Sequence, residues 1–219
     1  MEDKTLKILI VEDHVLTRTA IADRLEREPG MTVVGSTGDA DQAVESAFRL
    51  EPDVVLMDVN LRGRPGFSAA RRISLGVPGV RLIFVSAFTH DCYIQEALDM
   101  QAAGYVTKHE EPGVLVTAIR SAVAGERFFS PRVRERLVTT ATGLQVAPPS
   151  GTRASTLTPR EVEVLRDVAQ GLAKKQIAAR LRLSVKTVDR HCCNLMDKLN
   201  IHDRVELARF AIREGLVHL

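Results

Sequence analysis

The stretch DVVLMDV, residues 53–59, decides the fold. It is a short continuous apolar run that follows Glu51-Pro52 and closes on Asp58. Such a run, with no polar alternation, is what a strand covered on both faces requires. Working outward, the pattern recurs. Upstream lie LKILIVED (6–13) and MTVVGS (31–36), and downstream RLIFVSAF (81–88) and GYVTK (104–108). Helical spacing fills the intervals. Residues 17–28 place Ile21, Ala22 and Leu25 on one side and stop at Pro29-Gly30. Residues 39–50 align Ala40, Ala43, Val44 and Ala47. A third helix over 65–74 ends in the Gly/Pro-rich 76–79, a fourth spans 93–102 and a fifth 112–124. Five β-then-α units in series predict an α/β domain with a five-stranded parallel sheet and helices on both faces.

In such a sheet, ligand chemistry gathers at the carboxyl ends of the strands. The residues there are Glu12 and Asp13 on the first strand, Asp58 on the third, Ser86 on the fourth and Lys108 on the fifth. Three carboxylates brought together repel unless a cation lies among them. Oxygen ligands with open positions for water suit Mg²⁺. A hydroxyl and an ammonium add donors for an anion. The rim therefore offers a carboxylate nucleophile, a metal position and two groups able to hold phosphoryl oxygens. Each residue alone has a plain alternative, since Asp at a strand end is often only a turn or cap residue.

Composition narrows the class. The chain has 219 residues, 30 Lys+Arg against 28 Asp+Glu, and three cysteines. No apolar run approaches the roughly 20 residues of a membrane span. The acidic start MEDK and the short apolar stretch after it do not form a secretory signal. Sparse cysteines argue against a disulfide framework. A soluble, cytoplasmic protein with reduced thiols is expected. The small net charge of +2 conceals an asymmetry. Residues 1–127 carry a net −5, residues 128–156 a net +3 and residues 157–219 a net +4. A basic C-terminal part points to an anionic partner, nucleic acid first.

Residues 128–156 differ in kind. FFSPRVRERL suits a short helix, and TTATGLQVAPPSGTRAST reads as a flexible linker. From Leu157 the pattern is wholly helical. Thr158-Pro159-Arg160-Glu161 is a capping box with Pro at the first helical position, opening a helix that Gly171 ends. A shorter helix covers 173–181. Ser184 caps a third helix that runs to 199, and Asp203 with Glu206 opens a fourth that ends near Gly215. Four short helices with tight turns fit a helix-turn-helix module. On the third, Val188, Cys192, Leu195, Met196 and Leu199 share one face, and Lys186, Arg190, Cys193, Asn194 and Asp197 the other. The second face suits a major groove, where Arg reads guanine and Asn reads adenine. Lys174 and Lys175 open the shorter helix, where charge and helix dipole both favour phosphate. A polar face alone is weak evidence, because any surface helix has one.

The pieces ILIVEDH, VVLMDVN, FVSA and GYVTK, in order over residues 6–127, resemble a response-regulator receiver domain of flavodoxin-like fold. The resemblance implies that Asp58 accepts a phosphoryl group from a sensor histidine kinase. Asp13, Asp58 and the backbone carbonyl of Asn60 would ligate Mg²⁺ directly, and Glu12 mainly through water. Ser86 would hydrogen-bond the phosphoryl group, Lys108 would pair with it, and Tyr105 would be the aromatic switch. Arg62 and Arg64-Pro65 depart from the usual loop. An Asp-nucleophile phosphatase usually needs a second acid two residues on, where this chain has Asn60. The segments LTPREVEVL, QGLAKKQIAARL, LSVKTVDRH and MDKLNIHDRVELARFAI resemble a LuxR-type helix-turn-helix over 157–213. Together the two resemble a NarL/FixJ-type two-component response regulator. The implied division is receiver 1–127, linker 128–156 and DNA-binding domain 157–219.

That resemblance places Asp189, Arg190 and Cys193 toward bases, and Lys174, Lys175, Lys186 and Thr187 toward the backbone of double-stranded DNA. Asp189 stands where many members have Lys. It would tune sequence choice or form an ion pair with Lys186 or Arg190. Cys193 would meet a thymine methyl or fill space, and a Cys192–Cys193 bridge is disfavoured because adjacent helical thiols diverge. A homodimer when phosphorylated follows for this class, with RNA polymerase a further partner and no membrane. The chain would be a phosphoacceptor rather than an enzyme. The alternative is a receiver that acts through protein contacts without specific DNA binding.

Overall fold

A computed structural model describes residues 5–61, 64–140, 143–147 and 153–217. It divides into two compact units, the first made of Met1–Thr89 and Tyr93–Val146, the second of Ala147–Leu219 with His90–Cys92.

The first unit alternates strand and helix as expected. In order these are β1 (Leu6–Val11), α1 (Val15–Glu26), β2 (Met31–Thr37), α2 (Ala40–Leu50) and β3 (Val54–Asp58). A two-residue pair follows, β4 (Asn60–Leu61) and β5 (Arg64–Pro65), then α3 (Gly66–Gly76), β6 (Arg81–Ser86) and α4 (Asp91–Asp99). β7 (Gly104–Thr107), α5 (Pro112–Val123) and β8 (Phe128–Phe129) complete the layer. The parallel sheet has order β2-β1-β3-β6-β7-β8. It therefore has the five expected strands and a short sixth. Phe128 and Phe129 pair with Gly104 and Tyr105, because their apolar rings extend the covered sheet by one edge.

Strand alternation sorts the core into two layers. On one face Ile8, Ile10, Val54, Leu56, Ile83 and Val106 pack with Leu25 of α1 and Leu115, Val116 and Ile119 of α5. On the other, the Phe67 ring lies 4.6 Å from Phe84 and 5.9 Å from Tyr93, and Phe84 lies 6.4 Å from Tyr105. Strand order reverses between β1 and β3, so the crevice for chemistry opens at their carboxyl ends. Part of the stretch read as linker is folded. α6 (Pro131–Arg134) is followed by the antiparallel pair β9 (Leu137–Thr140) and β10 (Gly143–Val146). The β-branched residues of LVTT and the turn at Gly143 favour a hairpin that the Thr/Gly content hid. Residues 62–63 and 148–152, including Arg62, lie outside the described residues.

The second unit is helical, with a 3-10 turn at Arg153–Thr156, then α7 (Pro159–Ala169), α8 (Lys174–Leu181), α9 (Val185–Leu199) and α10 (Arg204–Arg213). The caps fall where the sequence put them. Thr158 and Glu161 form the capping box of α7. Ser184 accepts from the Thr187 N–H on α9, and Asp203 from the Glu206 N–H on α10. Val162 and Leu165 of α7, Ile177 and Leu181 of α8, Val188, Leu195 and Leu199 of α9, and Leu207 and Phe210 of α10 are buried. Among the described residues no helix is long and apolar enough to cross a membrane.

Candidate functional site: an acidic rim and a basic helix face

The rim of the first unit assembles as the strand ends dictate. Glu12 is 2% exposed and Asp58 4%, so two carboxylates are withdrawn from water side by side. The Lys108 Nζ lies 2.6 Å from Glu12 Oε2 and donates to Asp58 Oδ2 at 2.7 Å. Burial raises the Asp58 carboxyl to about 6, Glu12 adds to this, and Lys108 and the Asn60 N–H oppose it. That N–H donates to Asp58 Oδ1 at 3.1 Å. The Lys108 ammonium is held above its usual value: burial works against the charge, and Asp58 and Glu12 outweigh it.

Glu12, Asp13, His14 and Asp58 each place a ligand atom within 4.8 Å of the others. Three of the four donors are carboxylates, the hard oxygen set that a divalent cation such as Mg²⁺ takes. The donor set therefore fits the metal. His14 was not singled out in the sequence. Its Nδ1 lies 2.9 Å from Asp13 Oδ1 and 3.1 Å from Glu12 Oε1. Its position after two acids was the available signal. Arg18 also went unread; its Nη1 donates to the Glu12 carbonyl at 2.6 Å and fixes the β1–α1 turn. Gly66 is a third. A Cβ there would stand 2.0 Å from the Asp58 carbonyl oxygen, so only glycine lets α3 begin against the acceptor strand.

Ser86 and Tyr105 are fully buried and meet at one backbone unit. The Phe88 N–H donates to Ser86 Oγ at 3.0 Å, and the Tyr105 hydroxyl donates to the Phe88 carbonyl at 2.7 Å. The loop after β6 is thus held by both residues that the sequence named as switch positions. Glu12, Asp13, Asp58 and Lys108 come together at the rim, whereas Ser86 and Tyr105 meet at Phe88.

In the second unit α9 presents the face read from its sequence. Lys186, Asp189, Arg190, Cys193 and Asn194 are exposed, and Thr187 is half-buried under the Ser184 cap. Cys192 is buried and Cys193 exposed, each a free thiol. Lys174 and Lys175 are exposed at the start of α8, where the N-cap Ala173 makes no side-chain cap bond. One pairing differs from the expectation. Asp189 accepts from Lys174 Nζ, not from Lys186 or Arg190. The helix-turn-helix brings the first turn of α8 against the first turns of α9, a proximity no single-helix wheel contains. Burial first, and the charges of Arg160 and Arg190 next, hold the His191 imidazole below its usual value.

Fold and rim define a class: a receiver-type α/β unit followed by a helix-turn-helix unit. The comparisons agree. Residues 8–120 match the response regulator receiver domain, and residues 155–211 match the luxR family of bacterial regulatory proteins. The nitrate/nitrite response regulator protein NarP of Escherichia coli (strain K12) is 36% identical over 205 residues, covering 93% of each chain. The transcriptional regulatory protein LiaR of Bacillus subtilis (strain 168) is 30% identical, covering 97% of this chain and 100% of LiaR. Among solved structures, RcsB of Salmonella enterica serovar Typhimurium, bound to a promoter with phosphomimetic BeF3-, has a TM-score of 0.72. It is 23% identical and covers 99% of this chain and 100% of its own, a likeness of fold. This chain belongs to the NarL/FixJ family of two-component response regulators, with a receiver domain and a LuxR-type DNA-binding domain.

Proposed function

We propose that a sensor histidine kinase phosphorylates Asp58 and that this controls sequence-specific binding of the helical unit to double-stranded DNA, and so transcription. The observation that carries the reading is the rim itself: Lys108 bridging two buried carboxylates, with Asp13 and His14 closing the cluster.

The chemistry follows from those positions. An Asp58 carboxylate oxygen attacks phosphorus, the P–N bond to the kinase imidazole breaks, and the imidazole leaves with the bond electrons. Asp13, Asp58 and the Asn60 carbonyl would hold Mg²⁺ directly and Glu12 through water; the ion supplies charge neutralisation for the transferred group. Lys108 moves its bond from the Asp58 carboxylate to a phosphoryl oxygen. Ser86 turns its hydroxyl to the same group. The Phe88 N–H then gives up its bond to Ser86, and the loop that Tyr105 also holds is released to a second arrangement. The chain takes part in its own phosphotransfer and dephosphorylation without turning over a substrate.

On the helical unit, Lys174, Lys175, Lys186 and Thr187 meet phosphates, and Asp189, Arg190, Cys193 and Asn194 face base edges. We assign the receiver domain to 1–127, to whose sheet the Phe128–Phe129 strand adds an edge, and the DNA-binding domain to 157–219. The active form is a homodimer on inverted half-sites in the cytoplasm, with RNA polymerase a downstream partner. RcsB, a neighbour in fold, is itself bound to a promoter in the presence of phosphomimetic BeF3-. The test is capture of genomic DNA fragments with and without beryllofluoride and Mg²⁺. One inverted-repeat motif enriched only with beryllofluoride is the expected result. Equal enrichment in both refutes the phosphorylation gate, and none in either transfers the function to protein contacts.

A further inference from the structure

The base-facing side of α9 carries one carboxylate among its assigned readers, Asp189, and that carboxylate is engaged. Lys174 Nζ donates to Asp189 Oδ1, and the bond holds the lysine ammonium above its usual value. Both side chains are about half exposed, 51% and 52%. A pair so wet contributes little to the fold. Its position is built all the same. The Arg204 guanidinium of α10 donates to the Leu172 carbonyl at 2.5 Å, which anchors the turn just before Lys174. Ser184 fixes the first turn of α9, five residues before Asp189.

The pair sets a conflict for any DNA that docks there. A carboxylate near a polyanion is repelled, and a lysine bonded to that carboxylate is withheld from phosphate. Base edges resolve the conflict unequally. In the major groove cytosine N4 and adenine N6 are amino donors, whereas guanine O6 and N7 and thymine O4 are acceptors; adenine sets its N7 acceptor beside the amino group, which repels a carboxylate, so cytosine is the better match. Only an amino group replaces the lysine as donor to the carboxylate.

We propose that the Lys174–Asp189 pair is a discriminator: a cytosine amino group takes over the Asp189 carboxylate, and Lys174 is thereby released to a backbone phosphate. Base readout and phosphate contact are then one event. A matched site gains both, and a mismatched site gains neither. This makes Asp189 a specificity-determining residue that acts partly through Lys174. The inference rests on the DNA-binding reading of this face.

It has a signature that ordinary base contacts lack. Each phosphate contact adds about 0.9 to the slope of log affinity against log salt. The preferred duplex should therefore show a steeper salt slope, by about one contact, than a duplex changed only at the cytosine. The experiment selects duplexes from a random pool with the full-length chain, beryllofluoride and Mg²⁺, and measures both slopes. Asp189→Ala should lower discrimination at that base pair about tenfold, tighten binding to unrelated DNA, and make the two slopes equal. Lys174→Ala should equalise the slopes while keeping the cytosine preference. An enriched motif that Asp189→Ala leaves unchanged, or equal slopes in the wild-type chain, overturns the discriminator alone. Failure of the wild-type chain to enrich any sequence overturns the DNA-binding reading, and the discriminator with it.

Discussion

The rim of the receiver and the polar face of α9 use charge in opposite ways. At the rim, Glu12 and Asp58 are buried, and a single ammonium lies within 2.7 Å of both. On α9 the charged side chains stand in water, and Lys174 and Asp189 are about half exposed. A buried cluster is positioned before its ligand arrives, because leaving any member without a partner is costly. An exposed set is cheap to leave waiting, and its energy is realised only when DNA excludes the water. The first design suits a phosphoryl transfer whose geometry never varies. The second suits a surface that must test many sequences.

The largest effect expected is at the acceptor. Asp58→Asn removes the only nucleophile assigned to the rim and should abolish labelling by acetyl phosphate, read as the mass shift of the intact chain. Persistent labelling would break the comparison at its centre. Next, Lys108→Ala leaves Glu12 and Asp58 buried against each other. A loss of about 3 kcal/mol is expected in urea unfolding with a chelator present, in line with breaking one partner of a buried pair. Added Mg²⁺ should recover part of it, because a ligand that binds only the folded state stabilises it. Lys174→Ala, the counterpart on the exposed side, should stay within about 0.5 kcal/mol. Similar losses for the two lysines would erase the distinction. Arg190→Ala should weaken specific DNA binding by about 1–3 kcal/mol with unfolding unchanged, measured by titration against matched and mismatched duplexes. An unchanged site preference would remove Arg190 from the readers.

The same contrast explains what the sequence made legible. Glu12, Asp13, Asp58, Ser86 and Lys108 were readable because parallel-sheet topology places every strand end on one rim. Side chains hardly need to be known for that. The caps at Thr158, Ser184 and Asp203 were readable because they depend on neighbours three residues away. Contacts between elements were not. The Lys174–Asp189 bond joins two helices, and Gly66 against the Asp58 carbonyl joins a helix start to a strand end. The hairpin at Leu137–Thr140 and Gly143–Val146 was missed because Thr and Gly serve strands and loops alike. The sixth strand was missed because two residues carry no period.

Glu161 lies between the two regimes, and its substitution should give a small effect between those of the two lysines. Its carboxylate is buried, yet it belongs to the helical unit. Oε2 accepts from the Thr158 N–H at 2.8 Å and from Lys198 Nζ at 2.7 Å. Burial pushes the carboxyl up, but the bonds from Lys198 and Thr158 outweigh it and hold it below the ordinary glutamate value. Glutamine at this position keeps the capping-box acceptor and loses the charge that meets Lys198. Glu161→Gln should therefore cost about 0.5–1 kcal/mol at neutral pH. The sign with pH is fixed by the depressed folded value. Near the ordinary glutamate range the unfolded chain binds more protons at this site than the folded one, so the wild-type advantage is complete above that range. It is lost as pH falls through the folded value. Unfolding free energies of the two chains should thus converge on acidification. A gap that persists into acid would show that shape, not charge, holds α7 to α9, and would move Glu161 out of the buried-charge regime that the rim exemplifies.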